Sequence, residues 1–172
     1  MSKEAVFLDR DGVINNKSKK VYSLEEFELY PWTIDSIKKL KEIGYKVFVV
    51  TNQGGIELGY MNEKVVKRIH KHFKDLLAKE GTSVDDIIYC KHFDEPCEYK
   101  KPNPGMLLTL AEKHNVNLQK SFMVGDRKTD IMAGKKAGCN TIKVGDYYKD
   151  ADYVCENLSE AVNYISENKN EK

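Results

Sequence analysis

The stretch AVFLDRDGVIN, residues 5–15, poses the question that the rest of the chain has to answer. Four apolar residues run straight into Asp9, Arg10, Asp11 and Gly12. The apolar run reads as a buried strand, so two carboxylates stand at its carboxyl end. Ionised groups there are costly unless something compensates them, and two like charges so close raise each other's pKa. Their partners must come from later in the chain.

Outward from that strand, short apolar runs alternate with amphipathic ones. KVFVVT (46–51), IIYC (87–90), SFMVG (121–125), NTIKV (140–144) and the weaker YVC (153–155) read as further strands. Helical periodicity appears around Ile34–Lys41, from an Asn62 N-cap through Leu77, over Pro104–His114, over Thr129–Ala137 with Gly138 as its stop, and over Leu158–Glu167. This alternation predicts an α/β fold, a Rossmann-like three-layer αβα sandwich with a mainly parallel sheet. Residues 1–168 make a single domain and the tail 169–172 is expected to fray.

Composition excludes several classes of function. Apolar residues are 41% and charged residues 32%, as in ordinary globular proteins. With 28 basic against 27 acidic side chains there is no electrostatic footprint for nucleic acid, and nucleic acid is not the expected partner. No apolar run is long enough to span a membrane and no signal peptide is visible, so the expectation is a cytoplasmic monomer. Cys90, Cys97, Cys139 and Cys155 are then thiols or ligands rather than disulfides.

Right-handed crossovers place the carboxyl ends of parallel strands on one edge, where such sheets bind ligands. Asp9 and Asp11 follow the first strand there. Thr51, Asn52, Gln53 and two glycines follow the second; Lys100 and Lys101 come well after the third; GDRKTD, with Asp126 and Asp130, follows the fourth. Carboxylates, a hydroxyl, glycine-flanked amides and a lysine are the inventory of a magnesium-dependent phosphoryl-transfer site. A carboxylate can attack phosphorus, and a second one two residues on can protonate the leaving alcohol and then activate water. Taken alone, Asp9 and Asp11 could be a solvated turn, Thr51–Gly55 a plain strand-to-helix turn, and Asp130 a helix cap. His70 and His72, at i and i+2 on a helix, share no face and read as surface residues. Tyr22, Tyr30 and Trp32 read as core or rim packing.

FLDRDGVIN, VVTNQGGI, KKPNPGM and MVGDRKTD resemble, in order, the four motifs of haloacid dehalogenase-type phosphatases, from residue 5 to about residue 140. More finely, DRDGVIN, TNQGGI and KPNPGM with a Cys/His loop before them resemble the D-glycero-D-manno-heptose 1,7-bisphosphate phosphatase and histidinol-phosphate phosphatase family. The resemblance implies a small-molecule sugar phosphate as substrate, with Asp9 as nucleophile, Asp11 as acid/base, Thr51 as phosphate contact and Lys101 as the motif lysine. Asn52, Gln53 and Lys100 join the substrate-binding set. It implies Mg²⁺ held by Asp9, Asp126 and the Asp11 backbone, with Asp130 in the outer shell. Histidinol phosphate and a polynucleotide 3′-phosphate are alternative substrates. A phospho-ligand binder without turnover is the alternative of another class, though it has no use for both nucleophile and acid/base.

The spacing leaves no room for the cap domain that many of these relatives insert, so an open site is expected. Relatives hold a structural Zn²⁺ with Cys-x-His and Cys-x-Cys. Here Cys90, His92 and Cys97 are present but Tyr99 stands at the fourth position. Three ligands plus water, or a loop without metal, both fit. Lys100 stands where those relatives have arginine, whose bidentate fork a lysine cannot reproduce.

Overall fold

The computed structural model of the chain describes residues 1–170. Its strands are β1 (Ala5–Leu8), β2 (Lys46–Asn52), β3 (Asp86–Cys90), β4 (Phe122–Gly125), β5 (Asn140–Val144) and β6 (Tyr153–Cys155). They form one sheet in the order β3-β2-β1-β4-β5-β6, with every neighbouring pair parallel. The helices are α1 (Thr33–Glu42), α2 (Glu63–Lys79), α3 (Gly105–His114), α4 (Lys128–Ala137) and α5 (Leu158–Asn170).

Both faces of the sheet are covered, which is why its strands read as unbroken apolar runs. Val6 and Leu8 of β1 pack with Ile37 and Leu40 of α1, Ile69 and Phe73 of α2, and Ile165 of α5. Ala5 and Phe7 turn the other way, towards Leu107 and Leu110 of α3 and Ala133 of α4. The expected three-layer αβα sandwich is therefore the fold. Asn62 Oδ1 accepts from Val65 N at 3.1 Å to open α2, and Gly138, at φ +89°, closes α4.

Two expectations change. α5 runs past Glu167 to Asn170. Lys169 Nζ pins its last turn, lying 4.1 Å from the Tyr45 ring centroid and 3.5 Å from Glu4 Oε2. Residues 171–172 of the expected frayed tail lie outside the described residues. His70 is buried, not on the surface. It falls in the stripe Val66, Ile69, His70, Phe73, Leu77, the i, i+3, i+4, i+7 face that α2 turns to the core.

The segments that rim the ligand edge are loops. Between β1 and α1 there is only a 3-10 turn at Leu24–Glu26, and residues 91–104 between β3 and α3 hold no helix or strand. No cap domain is present among the described residues. No helix among them is long and apolar enough to cross a membrane.

Candidate active site

The order β3-β2-β1-β4 reverses the direction of chain progression beside β1, and such a switch point opens a crevice at the carboxyl ends of the strands. The backbone bond Asp9 N to Val124 O, 3.0 Å, carries the β1–β4 pairing one residue past the strand and aims Asp9 into the crevice. Lys101 meets it there. Its Nζ donates to Asp9 Oδ1 (2.8 Å) and Val50 O (2.8 Å) and lies 2.7 Å from Asp130 Oδ1. Burial would lower the lysine's pKa, but Asp130 and Asp9 outweigh it and raise the pKa above its ordinary value. Asp9 is pushed well above the carboxylate range, by burial first and by Asp130 next, against the pull of Lys101.

Asp130 does two jobs, as cap and as partner. Its Oδ2 accepts from Arg127 N at 2.9 Å at the start of α4, while Oδ1 faces Lys101. Gly125 is required beside it, since a Cβ there would collide with the Asp130 carboxyl. Asp126 lies alongside, with Lys17 Nζ on its Oδ2. Its buried Oδ1 has no hydrogen-bond partner. Carboxylate oxygens of Asp9, Asp126 and Asp130 lie within 4.8 Å of one another. A hard divalent cation suits such a set, with Asp126 Oδ1 as a ready ligand atom.

Asp11 occupies a different environment. Gly12, at φ +93°, turns the chain here, and a side chain at that position would also strike the Asp126 carboxylate. Arg10 forks onto Asp11 through Nε (3.1 Å to Oδ1) and Nη2 (3.0 Å to Oδ1, 3.1 Å to Oδ2). Asn15 Nδ2 (2.9 Å) and Gln53 Nε2 (3.0 Å) complete the set. Burial favours the neutral acid, but the Arg10 charge and these donors hold the Asp11 pKa below its ordinary value.

The remaining expected residues sit as follows. Asn52 is within the crevice, but its amide clasps the Lys101 backbone, donating to Lys101 O (3.0 Å) and accepting from Lys101 N (3.0 Å). Gln53 Nε2 bridges Asp11 and Thr51 Oγ1 (2.8 Å). Both line the cleft, as expected of substrate contacts, and both also position other site residues. Lys100 Nζ turns onto Phe93 O at the cleft wall. The cleft, about 570 Å³, is lined by Lys17, Lys19, Lys20, Lys100, Lys101 and Arg127 against the single carboxylate of Asp11. Tyr22 lines it too, stacked on Tyr60 at 5.1 Å between ring centroids, whereas Tyr30 stacks on Trp32.

Cys90 Sγ is 3.6 Å from Cys97 Sγ and 3.9 Å from His92 Nδ1. The Tyr99 hydroxyl instead accepts from Thr109 Oγ1 at 3.4 Å and is no part of the trio. Sequence reasoning missed Arg10, Asn15 and His70. An arginine between two aspartates at a buried strand end, and a histidine in the apolar stripe of α2, were the signals available.

A doubly wound parallel sheet with two aspartates after its first strand, a lysine bound to the first of them and two more aspartates after β4 defines a class of hydrolase. Residues 9–144 match the haloacid dehalogenase-like hydrolase model, and the chain belongs to that family. Its named relatives are narrower. A D-glycero-beta-D-manno-heptose-1,7-bisphosphate 7-phosphatase of Pasteurella multocida is 37% identical, over 92% of this chain and 94% of that one. A D-glycero-alpha-D-manno-heptose-1,7-bisphosphate 7-phosphatase of Campylobacter jejuni is 35% identical, over 97% and 98%. The crystal structure of D,D-heptose 1,7-bisphosphate phosphatase from B. bronchiseptica, complexed with magnesium and phosphate, superposes with a TM-score of 0.88. It shares 30% identity over 96% of this chain and 99% of that one.

The ammonium of Lys101 compensates Asp9 and Asp130 together. Lys101→Met is expected to lower the unfolding free energy by about 3 kcal/mol in urea melts at neutral pH, the cost of stranding buried charges. A variant as stable as the parent would mean that the carboxylates are compensated by something else.

Proposed function

We propose that the chain is a magnesium-dependent phosphomonoesterase that removes the C7 phosphate of D-glycero-D-manno-heptose 1,7-bisphosphate through an aspartyl-phosphate on Asp9. The observation that carries this reading is the pairing of environments two residues apart. Asp9 sits beside Lys101 and the Asp126 and Asp130 carboxylates, and Asp11 is parked in a clamp at the mouth of a cationic cleft. The names of the relatives support the substrate.

In this reaction Asp9 Oδ attacks phosphorus and the bond to the leaving alcohol breaks. Asp11, ionised in the Arg10 fork, takes up a proton from water in the cleft as it rotates out and gives that proton to the alcohol. Asp11, now a carboxylate, takes a proton from water as that water attacks the phosphorus of the aspartyl-phosphate. Inorganic phosphate leaves, Asp9 is restored, and Asp11 releases its proton to water as it returns to the fork. Lys101 and the Thr51 hydroxyl hold phosphoryl oxygens. Asp9, Asp126 and the Asp11 backbone carbonyl would hold magnesium, which supplies positive charge beside the transferring group. Lys17, Lys19, Lys20 and Arg127 suit the second phosphate of a bisphosphate. The reading includes action as a monomer in the cytoplasm, where the four unpaired cysteines stay reduced.

The same reading extends to the cysteine loop. Two thiolates bound to one zinc at about 2.3 Å stand about 3.7 Å apart in a tetrahedron. The Cys90–Cys97 separation of 3.6 Å supports a zinc with three protein ligands and water. It would pin the loop that carries Phe93 and Lys100.

Three measurements test these statements. Phosphate release is expected to favour a heptose 1,7-bisphosphate anomer over fructose 1,6-bisphosphate, histidinol phosphate and a 3′-phosphorylated oligonucleotide by about a hundredfold in kcat/KM, roughly 2.7 kcal/mol. Asp9→Asn should remove about ten-thousandfold or more of the activity. A flat profile would overturn the substrate, and turnover surviving in Asp9→Asn the mechanism. In thermal melts, Mg²⁺ at about a hundred times its Kd should stabilise the protein by about 2.7 kcal/mol, and Asp126→Asn should abolish the effect. Elemental analysis should find one equivalent of zinc in the purified protein and none in Cys97→Ser; a zinc-free parent would refute the loop assignment.

A further inference from the structure

The buried stripe of α2 contains a polar residue that the reaction above does not use. His70 is 7% exposed, and its Nε2 lies 3.2 Å from Arg10 Nη1. Arg10 is itself only 1% exposed, with its guanidinium carbon 5.8 Å from the Phe27 ring centroid. Its Nε and Nη2 take Asp11, so Nη1 is the end of the guanidinium that points away from the reaction. A guanidinium offers donors only and stays charged. The group facing Nη1 must therefore accept, which makes His70 a neutral imidazole with its Nε2 lone pair towards Arg10. Burial and the Arg10 charge agree with that, pushing the His70 pKa down to about 3; Lys74 adds to the shift and only Asp11 opposes it.

Asp11 has to leave the arginine's fork to reach the leaving oxygen, and later return. Its carboxylate draws the guanidinium after it. If Arg10 moved too, the fork would stay closed on the Asp11 carboxylate. Asp11 would then not be free to reach the leaving oxygen or the attacking water. Nη1 is the handle by which the fold can hold Arg10 still.

We propose that His70 is a positioning residue for the phosphoryl transfer: its Nε2 anchors Arg10 so that the guanidinium receives and releases Asp11 without following it. His70 touches neither substrate nor reacting atoms. It comes from α2, outside all four motif segments, and acts from 60 residues down the chain. This inference rests on the reading of Asp11 as the acid/base.

The test compares the parent with His70→Phe, which fills the space without an acceptor, and His70→Gln, which restores one. Heptose 1,7-bisphosphate and p-nitrophenyl phosphate serve as substrates, with Asp9→Asn as control. In His70→Phe, kcat on the sugar phosphate should fall about tenfold, with KM within about twofold of the parent. The loss should be smaller on p-nitrophenyl phosphate, whose leaving group departs without a proton. His70→Gln should recover most of kcat. A parent-like kcat in a folded His70→Phe would overturn the inference, as would equal losses in the Phe and Gln variants that track their melting temperatures. If Asp9→Asn keeps turnover, the underlying mechanism falls and this inference with it. If Asp9→Asn is inactive while His70→Phe is unimpaired, only the role of His70 falls.

Discussion

One ammonium group, the Nζ of Lys101, lies 2.8 Å from Asp9 Oδ1 and 2.7 Å from Asp130 Oδ1 in a place almost closed to water. Nearly everything at the ligand edge depends on it. Asp9 belongs to the end of β1 and Asp130 to the first turn of α4, so the lysine fastens a strand to a helix from the neighbouring crossover. It also accepts the constraint of β2, since it donates to Val50 O and its backbone is clasped on both sides by Asn52. Two buried carboxylates without this cation would repel each other and shed their charge by binding protons. With it, each carboxylate has a cation within hydrogen-bond distance.

The contrast between Asp9 and Asp11 follows from that arrangement. They are two residues apart, yet burial and Asp130 raise one pKa while Arg10 lowers the other. Environments that push two neighbouring carboxyl groups apart are how a protein assigns them different roles. The turn at Gly12 makes this possible by sending the two side chains to different surroundings, one into the crevice and one to its rim. Arg10 and His70 then define the resting place of the rim carboxylate, and α2 becomes part of the site without presenting any residue to the cleft.

The openness of the edge sets how specificity can arise. With loops and no cap among the described residues, residues from 17–22, 54–61 and 92–100 line the cleft. Lysines and aromatic rings dominate there: Lys17, Lys19 and Lys20 on one side, Tyr22 stacked on Tyr60, and Lys100 against Phe93 on the other. Such a rim gathers positive charge and aromatic surface while the chain as a whole stays near neutrality.

Much of this was legible in the sequence because it follows from local rules. The apolar runs of β1, β2 and β4, the caps at Asn62 and Gly138, and the polar residues after each strand express the alternation of a doubly wound sheet, whose geometry brings strand ends together. Asp9, Asp126, Asp130 and Lys101 could be gathered on one edge without coordinates for that reason. What tertiary structure alone decided were the partners. Asn52 and Gln53 hold Lys101 and Asp11, Lys100 turns onto Phe93 O, and His70 is buried against Arg10. Periodicity assigns a residue to a strand end or a helix face, but which donor meets which acceptor depends on packing between elements far apart in the chain.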